Sequence, residues 1–181
     1  MRIALLLVFV ITALGSTAQQ LRISVYHEQT IKSCIFSVVV GKYEVLGDTS
    51  AVIVLKKNEV VSITQSGDSL LLKNIDRTLG VFKKIEIRGT SNMNYCRIKP
   101  VVPALNPRMY DDDMIYSVYN NRILIINDVQ LENYIAGVVE SEGGQRADIE
   151  YFKTQAIITR TYALENFKRH ADEGFNLCDG V

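Results

Sequence analysis

Turn signals cut the stretch from residue 19 to about residue 98 into short apolar pieces, and this punctuation limits the fold more than any other feature of the chain. Leu21–Tyr26 alternates apolar and polar residues, and Phe82–Arg88 does so in part. Ile35–Val40, Ala51–Leu55, Val60–Thr64 and Leu70–Leu72 are short β-branched or apolar runs. Gly47-Asp48, Lys57-Asn58, Ser66-Gly67-Asp68 and Arg88-Gly89 separate them. Pieces of this kind predict strands, and their spacing predicts a small antiparallel sheet or barrel.

The pattern changes after residue 98. The three prolines, Pro100, Pro103 and Pro107, cluster there, and Asp111-Asp112-Asp113 follows. Together they predict a connector over 99–113, with the acids on a solvated turn. Met114–Tyr119 and Arg122–Ile126 then flank Asn120-Asn121. Asparagine tolerates positive φ, so this pair predicts a two-residue hairpin. Asn127 or Asp128 is placed to cap the next helix, with Gln130 at the capping-box position from Asn127. Leu131, Tyr134, Ile135 and Val138 share one face of that short helix, and Gly143-Gly144 ends it. Asp148 is placed to cap a second helix running to about His170. The whole predicts an α+β chain: a β-rich region over 19–98, the connector, then a hairpin and two helices over 114–181.

With 181 residues, 48% of them hydrophobic, the chain can build one sizeable core or two small ones. Lys plus Arg equals Asp plus Glu at 20 each, so no basic excess points to nucleic acid. Trp is absent, which excludes a Trp-built sugar platform. Arg2, the apolar run Ile3–Leu14 and the small residues Gly15–Ala18 predict an export signal cleaved between Ala18 and Gln19. The apolar run is too short to span a bilayer, so no stable membrane span is expected after cleavage. Export would place the protein in the periplasm or outside the cell. Cys34 and Cys96 lie in settings that suit small buried residues.

Chemistry concentrates near the end of the chain. On a helical wheel counted from Ile149, residues Phe152, Ala156, Ile157, Ala163, Leu164 and Phe167 form one apolar stripe. Lys153 and Arg160 fall inside it, at about 40° and 20°. Cations on an apolar stripe either snorkel or line a cleft that meets a polar ligand. Glu142, at a glycine-rich turn before this helix, favours the cleft.

The motifs Leu124-Ile-Ile-Asn-Asp-Val-x-Leu-Glu-x-Tyr-Ile-x-Gly-Val-Val-x-Ser-Glu142 and Lys153-x-Gln-Ala-x-x-x-Arg-Thr-Tyr-Ala163 resemble the SpoIID/LytB domain family of peptidoglycan-acting proteins. The resemblance runs from about Tyr116 to Val181. It implies a lytic transglycosylase cleaving glycan strands, or alternatively a non-catalytic wall-binding module that enhances a cell-wall amidase. Glu142 matches the acid regarded as catalytic in the family, and Lys153 and Arg160 match basic cleft residues. Gln155 and Tyr162 belong to the same motif but sit on the far side of the wheel, where packing suits them. Members often carry Met-Pro where this chain has Gly143-Gly144. Some build a metal site of His and Cys near this point, so His170 and Cys178 are candidate zinc ligands, whose partners would lie downstream. No cofactor is otherwise required. The chain stops in a loop soon after Cys178, which suggests a fragment of a longer protein.

One carboxylate suits transglycosylation. The 6-hydroxyl of the muramic sugar attacks its own anomeric carbon, so a single residue can protonate the leaving oxygen and later deprotonate the hydroxyl. Such an acid needs a partly apolar site, which Val138 and Val139 could supply. Arg160 placed too close would oppose it, so Arg160 is expected on substrate or on a second acid. Glu132 and Glu140 are the possible partners, though both suit an ordinary exposed helix face.

Overall fold

A computed structural model describes residues 19–144 and 147–179. The expected export signal lies outside the described residues. In chain order the strands are β1 (Gln20–Val25), β2 (Ser33–Val40), β3 (Tyr43–Gly47), β4 (Ser50–Leu55), β5 (Val60–Ser66), β6 (Ser69–Lys73) and β7 (Thr78–Phe82). They continue with β8 (Lys84–Gly89), β9 (Tyr95–Val102), β10 (Arg108–Asp111), β11 (Asp113–Tyr119) and β12 (Arg122–Gln130). Helices α1 (Leu131–Gly143) and α2 (Ile149–Glu165) follow, then a 3-10 turn at Ala171–Glu173 and the two-residue β13 (Leu177–Cys178).

Two sheets carry the core. One has seven strands in the order β13-β1-β12-β11-β8-β3-β4, and the other six in the order β10-β9-β2-β5-β6-β7. Pairing is antiparallel except between β13 and β1. The expected α+β class therefore holds, with β residues dominating. Alternation sets which face of each strand is buried. In β2, Cys34, Phe36 and Val38 point inward while their neighbours stay half-exposed. In β3 the same rhythm buries Tyr43 and Val45. The rings of Phe36 and Tyr43 meet edge to face at 5.2 Å and 80°, which joins the two sheets.

The hairpin forms at Asn120-Asn121 as expected. Both asparagines are left-handed, at φ 48° and 56°, and Tyr119 pairs with Arg122 across the turn. A second close approach needs glycine. A Cβ on Gly47 or on Gly80 would lie 2.3 Å or 2.5 Å from the Phe82 ring, and Gly80 also has φ 156°.

The connector expected over 99–113 is mostly strand. Pro100 lies within β9, buried, opposite Cys34 where β2 shifts register. A proline has no N–H to give the ladder, and an irregularity of this kind tolerates it. The seven-stranded sheet also crosses the expected boundary, because β1, β3, β4 and β8 share it with β11 and β12.

Cys34 and Cys96 are fully buried and form no disulfide. Burial pushes each thiol up to about 12 from an ordinary value near 9. The folded state therefore holds these protons more tightly than the unfolded chain. Their contribution to stability is complete below about pH 9 and is lost as pH rises toward about 12, on the order of 4 kcal/mol per thiol. Urea unfolding should accordingly give a flat midpoint from pH 7 to pH 8.5 and a steep fall above pH 9.5. Replacing both cysteines by alanine should move the onset of that fall upward to about pH 10, where the buried tyrosines Tyr43, Tyr110 and Tyr116 begin to lose their own protons in the unfolded chain.

Candidate functional site

Strand β12 runs on to Gln130 and enters α1 with no intervening loop. The expected capping box is not used. Asn127 stays in the strand at 6% exposure, and its Nδ2 donates to the carbonyls of Asp111 at 2.6 Å and Asp113 at 3.1 Å. The helix entrance is satisfied from elsewhere. Asp112 turns left-handed at φ 59°, and its Oδ2 accepts from Gln130 N and from Asn133 Nδ2, each at 3.0 Å.

The three acids expected on a solvated turn are thus each half-buried and separately placed. Asp113 Oδ1 accepts from Gly89 N at 2.8 Å, tying the turn to β8. Asp111 faces a cleft. Burial first, then the charges of Asp112 and Glu140, raise its pKa above the usual carboxylate value.

Glu142 sits inside the last turn of α1 rather than beyond the helix end. Gly144 ends the helix at φ 58°, its N–H reaching Glu140 O. A Cβ on Gly143 would lie 2.5 Å from the Phe152 ring, so the absence of a side chain there lets α1 and α2 approach.

Helix α2 starts as expected, with Asp148 Oδ1 accepting from Glu150 N at 2.6 Å. Its buried seam, however, is Phe152, Ala156, Thr159 and Ala163. Ile149 and Ile157, expected in the core, are each 64% exposed. Helix-to-helix contact favours small residues, so the alanines and the threonine turn inward and the larger apolar residues turn out. The helix is rotated accordingly, and both cations leave the buried face. Lys153 donates to Glu150 at 2.7 Å along its own helix. Arg160 reaches Glu132 on α1 at 2.5 Å.

Between α1, α2 and the sheet lies a cleft of about 530 Å³. Ile23, Val25, Asn127 and Val129 form its floor. Tyr134, Val138, Ser141 and Glu142 line it from α1, and Gln155, Ile158, Thr159 and Tyr162 line it from α2. Met109, Tyr110 and Asp111 close a further side. Glu142 is therefore in the cleft, while Lys153 and Arg160 are not among its lining. Gln155 and Tyr162, expected to pack on the far side, do line it.

Asp179 closes one end. Its Oδ2 accepts from Tyr26 N at 2.6 Å and pairs with Arg108 at 2.5 Å, while its Oδ1 accepts from His27 N at 3.0 Å. The Arg108 guanidinium also lies 4.5 Å over the Tyr26 ring. The roles of Asp111 and Asp179 have no local sequence signal, since both depend on strands distant in the chain.

His170 stacks on Phe175 at 4.8 Å, and its Nδ1 lies 2.8 Å from Glu173 Oε1. Among the described residues no three His, Cys, Asp or Glu side chains converge as a metal-binding group. A structural zinc takes four ligands. His170 and Cys178 would supply two of these, the remaining partners being expected downstream of Cys178, and a carboxylate on one ring nitrogen is the usual companion of a His that ligates through the other.

The capping role of Asp112 makes a direct prediction. Asp112→Ala should lower stability by about 1–2 kcal/mol. Hydrogen exchange should then quicken at the first turn of α1 and leave the β5–β6 pair unchanged.

Residues 119–181 match the family model described as Stage II sporulation protein, SpoIID. An uncharacterized protein of Brachyspira hyodysenteriae is 29% identical over 70 residues, which is 39% of this chain and 19% of that protein. The chain thus matches about a fifth of that relative's length. No solved structure matches. The stretch from residue 119 to residue 181 that resembles the SpoIID family holds Glu142 and all of α2.

Proposed function

We propose that the protein acts on peptidoglycan glycan strands as an exported lytic transglycosylase, with Glu142 as general acid and base. The observation that carries this reading is the place of Glu142 inside the family-matched segment and in the lining of the cleft. Tyr134 and Tyr162 offer flat surfaces on which sugar rings can stack, and Gln155, Thr159 and Asn133 offer hydrogen bonds to hydroxyl and acetamido groups. The apolar floor of Ile23, Val25 and Val129 keeps water from part of the cleft.

In transglycosylation the glycosidic oxygen leaves as the 6-hydroxyl of the same muramic sugar closes onto C1. The product is an anhydro sugar, and water is neither consumed nor released. Lys153 and Arg160 would serve substrate from the rim, because their present partners Glu150 and Glu132 are exposed and easily exchanged. Arg160 bridges α1 and α2 through Glu132. No helix among the described residues is long and apolar enough to cross a membrane. A cell-wall amidase is the partner proposed if the protein works by enhancement instead.

Mass spectrometry of glycan strands incubated with the protein tests this. Anhydro-ended products are expected, falling at least about 100-fold in Glu142→Gln. Retained wall binding with no turnover by the parent protein would favour the non-catalytic module.

A further inference from the structure

We infer that Asp111 is a second working carboxyl of this cleft: it donates the proton to the departing glycan oxygen, leaving Glu142 as the base. This rests on the glycan-cleaving reading above and divides the proton work that it gives to Glu142 alone.

The two carboxyls come from different elements. Asp111 ends β10 and Glu142 lies in the last turn of α1, and both line the cleft. Asp111 is held there by its backbone. Its carbonyl accepts from the buried amide of Asn127 at 2.6 Å, and its partner across the ladder is Tyr95 of β9. The next residue turns left-handed and carries its own carboxylate away to the entrance of α1. Asp111 is half-buried beside Met109 and Tyr110, whereas Glu142 is exposed.

The charged groups that act on Asp111 are Asp112, on its own turn, and Glu140, on α1. Both are anions, and with burial they favour its neutral form. Arg108, on the same strand, is engaged with Asp179 at the end of the cleft. A half-buried carboxyl whose surroundings favour the neutral form suits a general acid better than an exposed one does.

The chemistry balances. The Asp111 proton passes to the bridging oxygen as the bond from that oxygen to C1 breaks. The 6-hydroxyl oxygen forms the new bond to C1, and its proton passes to Glu142. Glu142 then gives a proton to water and Asp111 takes one from water, so the protein returns to its starting state.

Two substrates separate the roles: an unmodified glycan strand, and an aryl glycoside of N-acetylmuramic acid whose nitrophenolate leaves without acid assistance. Asp111→Asn should lose at least about 100-fold on the glycan yet stay within about tenfold of the parent on the aryl glycoside. It should also lose the alkaline limb of the pH profile. Glu142→Gln should be slow on both substrates. Asp111→Glu keeps a carboxyl and should retain more glycan cleavage than Asp111→Asn; equal losses would overturn the proton-donor role. Glycan cleavage at the parent rate by Asp111→Asn overturns it too, as does rescue of Glu142→Gln by the aryl leaving group. A parent protein that cleaves neither substrate overturns both this inference and the glycan-cleaving reading, an outcome distinct from failure of Asp111 alone.

Discussion

The amide of Asn127 holds one turn in place, and the candidate site depends on that turn. It bonds the carbonyls on either side of Asp112 from a buried position in the middle of a sheet. With its carbonyls held, the Asp111–Asp113 segment adopts its left-handed kink and distributes three carboxylates in three directions. One goes into the cleft, one to the start of α1 and one to a backbone N–H of β8. A buried amide left without these partners would cost roughly 1–3 kcal/mol, so the strand and the turn hold each other. Because α1 begins where β12 ends, fixing its first turn also fixes Glu142, three turns later.

What could be read from the sequence was what depends on near neighbours. The hairpin at Asn120-Asn121 and the cap at Asp148 rest on contacts within a few residues, and both form as expected. Most strands of the β-rich region were legible because alternation and turn residues are local signals. The capping box at Asn127 was also a local signal, yet the strand claimed the residue. Ile125, Ile126, Asn127 and Asp128 of β12 pair with neighbours on both sides, and that pairing outweighs one side-chain cap.

Helix α2 shows the limit more sharply. A wheel weighs residues by hydrophobicity, and Ile149, Ile157 and Leu164 dominate it. The partner helix instead selects by size. Gly143 lies against Phe152, and Ala156, Thr159 and Ala163 make the rest of the seam. Both cations then move off the buried face, and Gln155 and Tyr162 turn into the cleft. That rotation could not be known without α1, so the family motif was legible while the roles of its residues were not. The prolines misled for a similar reason. Pro100 looks like a linker residue until β2 is placed beside it with its register shifted.

The order of strands bears on what the family-matched segment can do by itself. Its strands β12 and β13 are not neighbours, since β1 lies between them, antiparallel to one and parallel to the other. Residues 20–25 therefore complete the sheet of a segment that begins about a hundred residues later. The same strand contributes Ile23 and Val25 to the cleft floor, and β10 contributes Met109 and Asp111 to its side. Without β1 the edge of β12 would present unpaired N–H and C=O groups where the cleft now has a floor. The cleft is thus a joint product of the SpoIID-matched residues and the β-rich residues before them. Glu142 lines a walled cleft only when both are folded together.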